Sequence, residues 1–141
     1  MKERKTIQYK CDFCGKKGYS KGHMRNHELH CTKNPDRECR VCKMVDGAQK
    51  PMADLLAVLP VPIQWEDEYG SKHYHVDTEA QVNAAVKELR ELCDGCPACI
   101  MAALRQKGIP VPLATEFDFT KEMKSLWDDI NDARLADGDV Y

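Results

Sequence analysis

Eight cysteines and five histidines are the residues of this 141-residue chain best equipped for chemistry. Seven of the cysteines fall into C-x2-C steps: Cys11/Cys14, Cys39/Cys42, Cys93/Cys96 and Cys96/Cys99. Two cysteines so spaced can turn both sulfurs toward one divalent cation. Four thiolate or imidazole ligands in a tetrahedron are what zinc takes. The same cysteines could instead form disulfides, but those persist in oxidising compartments. The opening residues Met1-Lys2-Glu3-Arg4-Lys5 are not followed by an apolar stretch, so no secretory signal is visible. The longest apolar run, from Leu55 to Ile63, is interrupted by Pro60 and Pro62 and is too short to span a bilayer. The expectation is a chain of the cytoplasm or another reducing compartment, not at a membrane, whose thiols bind two zinc ions.

The first ligand set is Cys11, Cys14, His27 and Cys31, in the pattern C-x2-C-x12-H-x3-C. Two cysteines in a tight turn supply one edge of the tetrahedron. His27 and Cys31 stand at i and i+4, on one face of a helix, and supply the other. Gly15, directly after Cys14, leaves the turn room for amide hydrogen bonds to sulfur. His23 and His30 lie close enough in sequence to compete for the histidine position.

The second set starts from Cys39 and Cys42, which need another pair about 50 residues on. Cys96 and Cys99 are preferred. Pro97 begins a helix there, and the positive helix end favours thiolates. Cys93 is then a buried apolar residue. In the rival assignment Cys93 pairs with Cys96 and Cys99 is spare. His73 and His75, two apart on one strand face, are a weaker candidate for metal.

Residues 9–31 resemble the ββα zinc finger, in its two-cysteine, one-histidine, one-cysteine variant. Tyr9 matches the aromatic two places before the first cysteine, and Met24 the apolar helix residue three before the histidine. The remainder of the chain is not recognised. One departure concerns the finger core: the family's aromatic, four places after the second cysteine, is Gly18 here, and Tyr19 would have to fill the gap from one place later. The resemblance implies base contacts from Ser20, His23 and Asn26 and phosphate contacts from Lys10, Lys16, Lys17, Lys21 and Arg25. A single finger covers only about three base pairs, so sequence-specific recognition by it alone is not expected.

Several elements must position these ligands. Met52, Leu55, Leu56 and Leu59 recur at helical spacing between Pro51 and Pro60. Ile63 to Val76 reads as a hairpin turning at Tyr69-Gly70-Ser71-Lys72. Asp77 or Thr78 can cap a following helix, with Gln81 completing a capping box on Thr78, and Val82, Ala85, Val86, Leu89 and Cys93 form its apolar stripe. Asp94-Gly95 breaks that helix. Pro97 to Lys107 forms another, closed by Gly108. A last helix, from about Lys121 to Arg134 with Thr120 as its cap, carries Met123, Leu126, Trp127 and Ile130 on the face expected to pack on the parent domain. The expected fold is α+β. Residues 1–34 are a zinc-stapled finger with its lead-in. Residues 35–114 are a domain of turn, hairpin and two helices with a treble-clef or ribbon-like four-cysteine site. Residues 115–141 are an acidic amphipathic helix and tail.

The net charge of -2 hides an asymmetry. Residues 1–50 carry 13 Lys and Arg against 6 Asp and Glu, and residues 51–141 carry 8 against 17. A basic N-terminal part suits an anionic partner. The leading expectation is a non-enzymatic zinc-binding adaptor whose finger touches nucleic acid. The competing one is a zinc-stapled protein–protein assembly component of a larger particle, for example a viral structural part. A remote third is an HNH-like nuclease, to which Leu92 to Cys96 with His73, His75 and Asn83 bear a faint likeness. There is no Asp-His pair at that family's strand position, and no histidine soon after the last cysteine pair. The run Glu66-Asp67-Glu68 is expected to be solvated.

Overall fold

A computed structural model describes residues 1–136. It is an α+β protein made of two short antiparallel hairpins, six α-helices and one turn of 3-10 helix (Val111–Leu113) among those residues. The first hairpin pairs β1 (Tyr9–Lys10) with β2 (Lys17–Gly18), in the register Tyr9 with Gly18 and Lys10 with Lys17. It leads into α1 (Lys21–His30), capped by the Ser20 hydroxyl, which accepts from the His23 amide at 3.3 Å. These elements form the expected ββα order.

The finger's apolar core is very small: Cys11, Met24 and Cys31, with Tyr9 against them. Tyr19 does not fill the gap at Gly18; it is exposed. Met24 closes in instead, and a Cβ built on Gly18 would stand 3.4 Å from the Met24 methyl. A long flexible side chain from the helix thus occupies the space beside Gly18.

The larger core lies among four helices. After α2 (Arg40–Met44) come α3 (Met52–Val58), α4 (Thr78–Leu92), α5 (Pro97–Lys107) and α6 (Phe119–Ala136). Leu55, Val82, Val86, Leu89, Ile100 and Leu104 are fully buried there, and Phe119, Met123 and Leu126 of α6 pack against them. Burial of each such side chain stabilises the fold by about 1.5–3 kcal/mol. Trp127, expected on the same face, is exposed. At about 100° per residue, Trp127 lies about 70° round the helix from the mean direction of Phe119, Met123 and Leu126, on the flank of the packed face.

Helix ends follow local chemistry, with two differences from expectation. Gly108 closes α5 in the left-handed region, and the Ile109 amide reaches back to the Leu104 carbonyl at 3.0 Å. The cap of α6 is Asp118 rather than Thr120. Its carboxylate accepts from the Lys121 amide at 3.1 Å, while Glu122 accepts from the Asp118 amide at 3.2 Å. A carboxylate also suits the positive helix end. At α4 the capping box does not form: Asp77 precedes the helix without a side-chain cap bond, and Thr78 is buried.

The second hairpin pairs β3 (Gln64–Glu66) with β4 (Lys72–Tyr74), Trp65 opposite His73. It contributes nothing to the buried core, and Ile63, Trp65, Tyr69 and Val76 are exposed. Among the described residues no helix is long and apolar enough to cross a membrane.

Candidate metal centres

Backbone geometry sets the first two ligands of the finger. The Cys11 amide donates to the Lys16 carbonyl at 2.8 Å and the Gly15 amide to the Cys11 carbonyl at 3.0 Å. Gly15 has φ +78°, which a side-chain-bearing residue adopts only with strain. The turn swings Cys14 beside α1, where its sulfur lies 3.2 Å from His27 Nε2. Cys31 sits one residue past the end of α1. The ligand atoms of Cys11, Cys14, His27 and Cys31 all lie within 4.8 Å of one another. His30 is occupied elsewhere, with Nδ1 3.0 Å from the Glu38 carbonyl, and His23 does not join the set.

The second centre gathers Cys39, Cys42, Cys96 and Cys99, all buried, again within 4.8 Å. Cys39 precedes α2 and its sulfur accepts from the Cys42 amide at 3.4 Å. Cys96 stands at the N-terminal cap of α5, with Pro97 as first helical residue. Asp94 and Gly95, both at positive φ, reverse the chain between α4 and α5 and bring Cys96 there. The Cys39 and Cys96 sulfurs are 3.5 Å apart, and those of Cys42 and Cys99 3.6 Å. A disulfide holds its sulfurs about 2.05 Å apart, so these are free thiols. Zinc bonded to four sulfurs at about 2.3 Å would set neighbours about 3.8 Å apart, so the cage fits that ion closely. Each set can hold one metal ion, and softness of the donors and tetrahedral spacing match zinc.

Electrostatics point the same way. Hydrogen bonds with Cys96 and Cys99 hold the Cys39 thiol far below its usual range. Burial, then the charge of Cys96, pushes Cys42 up to about 12. Hydrogen bonding to Cys39 and Cys96, then burial, raises Cys99 as well. One thiolate forms readily and the rest resist, because buried like charges this close repel; a divalent cation among them removes that penalty. In the finger, burial pushes the Cys14 thiol up. The Lys16 backbone and the side chains of His27, Cys11 and Cys31 outweigh it and bring Cys14 to about 6.

Cys93 is not a member of either set. It caps the C-terminal end of α4, and its thiol donates to the Leu89 carbonyl at 2.8 Å. The ligand set gathered with Cys39 and Cys42 is therefore Cys96 and Cys99, and the Cys93 thiol is turned to backbone carbonyls instead. Replacing Cys93 with Ala is expected to leave two zinc ions per chain by native mass spectrometry and to cost about 1–2 kcal/mol of stability, the usual range for a small core truncation. Loss of one zinc from that variant would show Cys93 to be a ligand.

Two residues that support the second centre have no signature in the sequence. Gln49 clasps the preceding segment, accepting from the Cys39 amide at 2.6 Å and donating to the Arg37 carbonyl at 2.7 Å. Arg37 is buried, with a guanidinium nitrogen 4.0 Å from the Cys99 sulfur. Its Nε has no hydrogen-bond partner among the described residues. Such burial is costly for a cation unless an anion faces it, and a zinc ion with four thiolates carries two net negative charges.

Among the described residues His73 and His75 join neither ligand set. His73 stacks on Trp65 with ring centroids 4.6 Å apart and lies 2.8 Å from the Asp67 carboxylate. That hydrogen bond, with the Ser71 amide second, keeps the Asp67 carboxyl below its usual value. His75 faces Asp77, and Asn83 bonds Thr115 and the Glu116 amide. The expected nucleic-acid contacts Lys10, Lys16, Lys17, Ser20, Lys21, His23, Arg25 and Asn26 are all exposed on the finger. Compared with family profiles, characterised proteins and solved structures, the chain matches none.

Proposed function

We propose that this chain is a non-catalytic adaptor, stapled by two structural zinc ions, whose finger side contacts nucleic acid. The observation that carries the reading is a finger whose four ligand atoms converge, with every one of its candidate cationic contacts exposed to solvent. The 13-to-6 excess of basic residues over the first 50 positions supports it. Four protein ligands at each centre leave no position open for substrate or activated water, which favours structural over catalytic zinc.

The test is a salt titration of binding to generic duplex and single-stranded oligonucleotides. Affinity is expected to fall steeply as salt rises, through release of condensed counterions. Replacing Lys16, Lys17 and Arg25 with Ala should weaken binding and lower the salt slope by about 1 for each phosphate contact removed. No binding at low salt by the zinc-loaded chain sinks the reading.

A second reading, a protein–protein assembly component, is favoured by one observation. The second hairpin exposes Ile63, Trp65, Tyr69 and Val76 beside Glu66, Asp67 and Glu68, away from the core. Exposed aromatic and aliphatic side chains on a projecting hairpin are typical of surfaces that another chain covers.

A further inference from the structure

The finger does not stand clear of the rest of the chain. Its exit turn is tied to α5: the Gln106 amide donates to the carbonyls of Thr32 and Asn34 at 2.9 and 3.0 Å, and Arg105 donates to the Thr32 hydroxyl at 3.0 Å. Beside these ties lies a cleft of about 390 Å³. His23, Asn26 and His30 of α1 line one side, and Arg40 and Arg105 of the helical domain line the other. A second cleft, of about 370 Å³, shares Cys14 and Arg105 with the first and continues past Lys33 toward Gly108 and Val111. Together they make a trough along the junction of finger and α5.

No Asp or Glu lines either cleft, although the chain from residue 51 onward carries 17 acidic residues against 8 basic. The finger ligands Cys14, His27 and Cys31 also line the first cleft, and a zinc ion held with Cys11 would give that centre one net negative charge; the other side chains are polar, apolar or cationic. The acidic part of the molecule presents Arg105 here, and Arg40 and Lys33 add to it; all three are exposed. Arg105 spends one donor on Thr32 and keeps others for a ligand. Such a trough selects an anion, and repeated cations along its length select a repeated anion.

The same geometry bears on which nucleic acid enters. In the ββα family's mode a helix fills the major groove, which is about 12 Å wide for a helix about 10–12 Å across. Here the side of α1 carrying His23 and Asn26 faces Arg40 and Arg105 across the cleft. The helical domain therefore occupies space that the walls of a duplex groove would need. A single strand needs far less room.

We propose that this trough holds the phosphodiester backbone of a single-stranded nucleic acid, with Arg40 and Arg105 contacting phosphates and His23 and Asn26 facing the bases. The proposal rests on the nucleic-acid reading above and narrows it. It is tested with the zinc-loaded full chain by fluorescence anisotropy, using RNA and DNA strands of one sequence and the matching DNA duplex. At least one single strand is expected to bind about tenfold more tightly than the duplex. Arg40→Gln and Arg105→Gln should each weaken single-strand binding about fivefold and lower the salt slope by about 1, as loss of one phosphate contact does. Lys124→Gln, a change at an exposed cation on α6, should do neither. Because Arg105 also braces Thr32, zinc content and circular dichroism accompany that variant, and Arg40→Gln decides if they change. Unaltered binding in Arg40→Gln, or a duplex bound as tightly as both strands, overturns the trough and leaves the broader reading standing. Failure of the wild-type chain to bind any of the three at low salt overturns both.

Discussion

Replacing Cys39 with Ser is expected to abolish cooperative melting of the helical domain and to reduce zinc from two ions per chain to one. Four buried sulfurs join segments that are distant in sequence, the α2 turn and the start of α5, and all four lie within the same buried cluster as Leu55, Leu89 and Leu104. A structural zinc site contributes roughly 10–16 kcal/mol of apparent binding energy at neutral pH. That is comparable with the entire stability of an ordinary domain, about 5–15 kcal/mol. Losing the ion also leaves Arg37 buried beside sulfurs that no longer carry the compensating charge. The substitution keeps the Cys39 backbone and its bond to Gln49, so the change isolates the metal from the local geometry. Circular dichroism with native mass spectrometry reads both quantities. A variant that melts like the wild type while carrying one zinc would show that the apolar core suffices without the ion. Acid acts in the same direction as the substitution, since every thiolate that takes a proton is lost to the metal.

His27→Ala should unfold residues 9–31 while α3 to α6 keep their transition. The finger buries only Met24 and two of its own ligands, with Tyr9 beside them. Burial of Met24 contributes about 1.5–3 kcal/mol, against an ordering cost of about 1–2 kcal/mol for every residue held in one backbone conformation. Without four ligands only a few hydrogen bonds, each worth about 0.5–1.5 kcal/mol, remain to offset that cost. The rest of the chain loses the bonds that Asn34 and Glu38 make to Glu28, Leu29 and His30, and those from Arg105 and Gln106 to the exit turn, each worth about 0.5–1.5 kcal/mol. Hydrogen exchange should therefore show protection lost over α1 and retained over α4 and α5. Persisting protection in α1 of a one-zinc variant would mean that docking against α5, not the ion, holds the finger.

The contrast between the two centres has a structural cause. Cys14 is exposed and His27 half-buried, whereas all four ligands of the second centre are buried. A chelator reaches the first centre from solvent and the second only after the helical core opens.

Legibility in the sequence tracked the range of the interaction. The finger ligands could be assigned from spacing because a tight turn and one helix bring them together within about 20 residues. The helices α3, α4 and α5 were equally readable, since their apolar periodicity, Pro97 and Gly108 act within a turn or two. The choice between Cys93 and Cys99 was not, because it depends on where the reversal at Asp94 and Gly95 aims each sulfur. The inward face of α6 was half readable: Met123 and Leu126 pack and Trp127 is exposed, which depends on how the helix is rotated against the core. The cap at Asp118 was missed because Thr120 is also a good cap by type, and only the bond to Lys121 distinguishes them.

By itself, the order of residues determined that thiol and imidazole ligands would come in two sets, that the first would be a ββα unit, and that basic and acidic surface would be divided between the two parts of the chain. Those properties reside in composition and in contacts between near neighbours. The tertiary structure alone decided that Arg37 and Gln49 brace the second centre and that Arg40 and Arg105 face His23 and Asn26 across a cleft. These residues lie from about ten to about 80 positions from the groups they meet, and nothing in their spacing carries a period or a motif. They meet because helix packing around a shared core, rather than any local preference, sets where each part of the chain ends up.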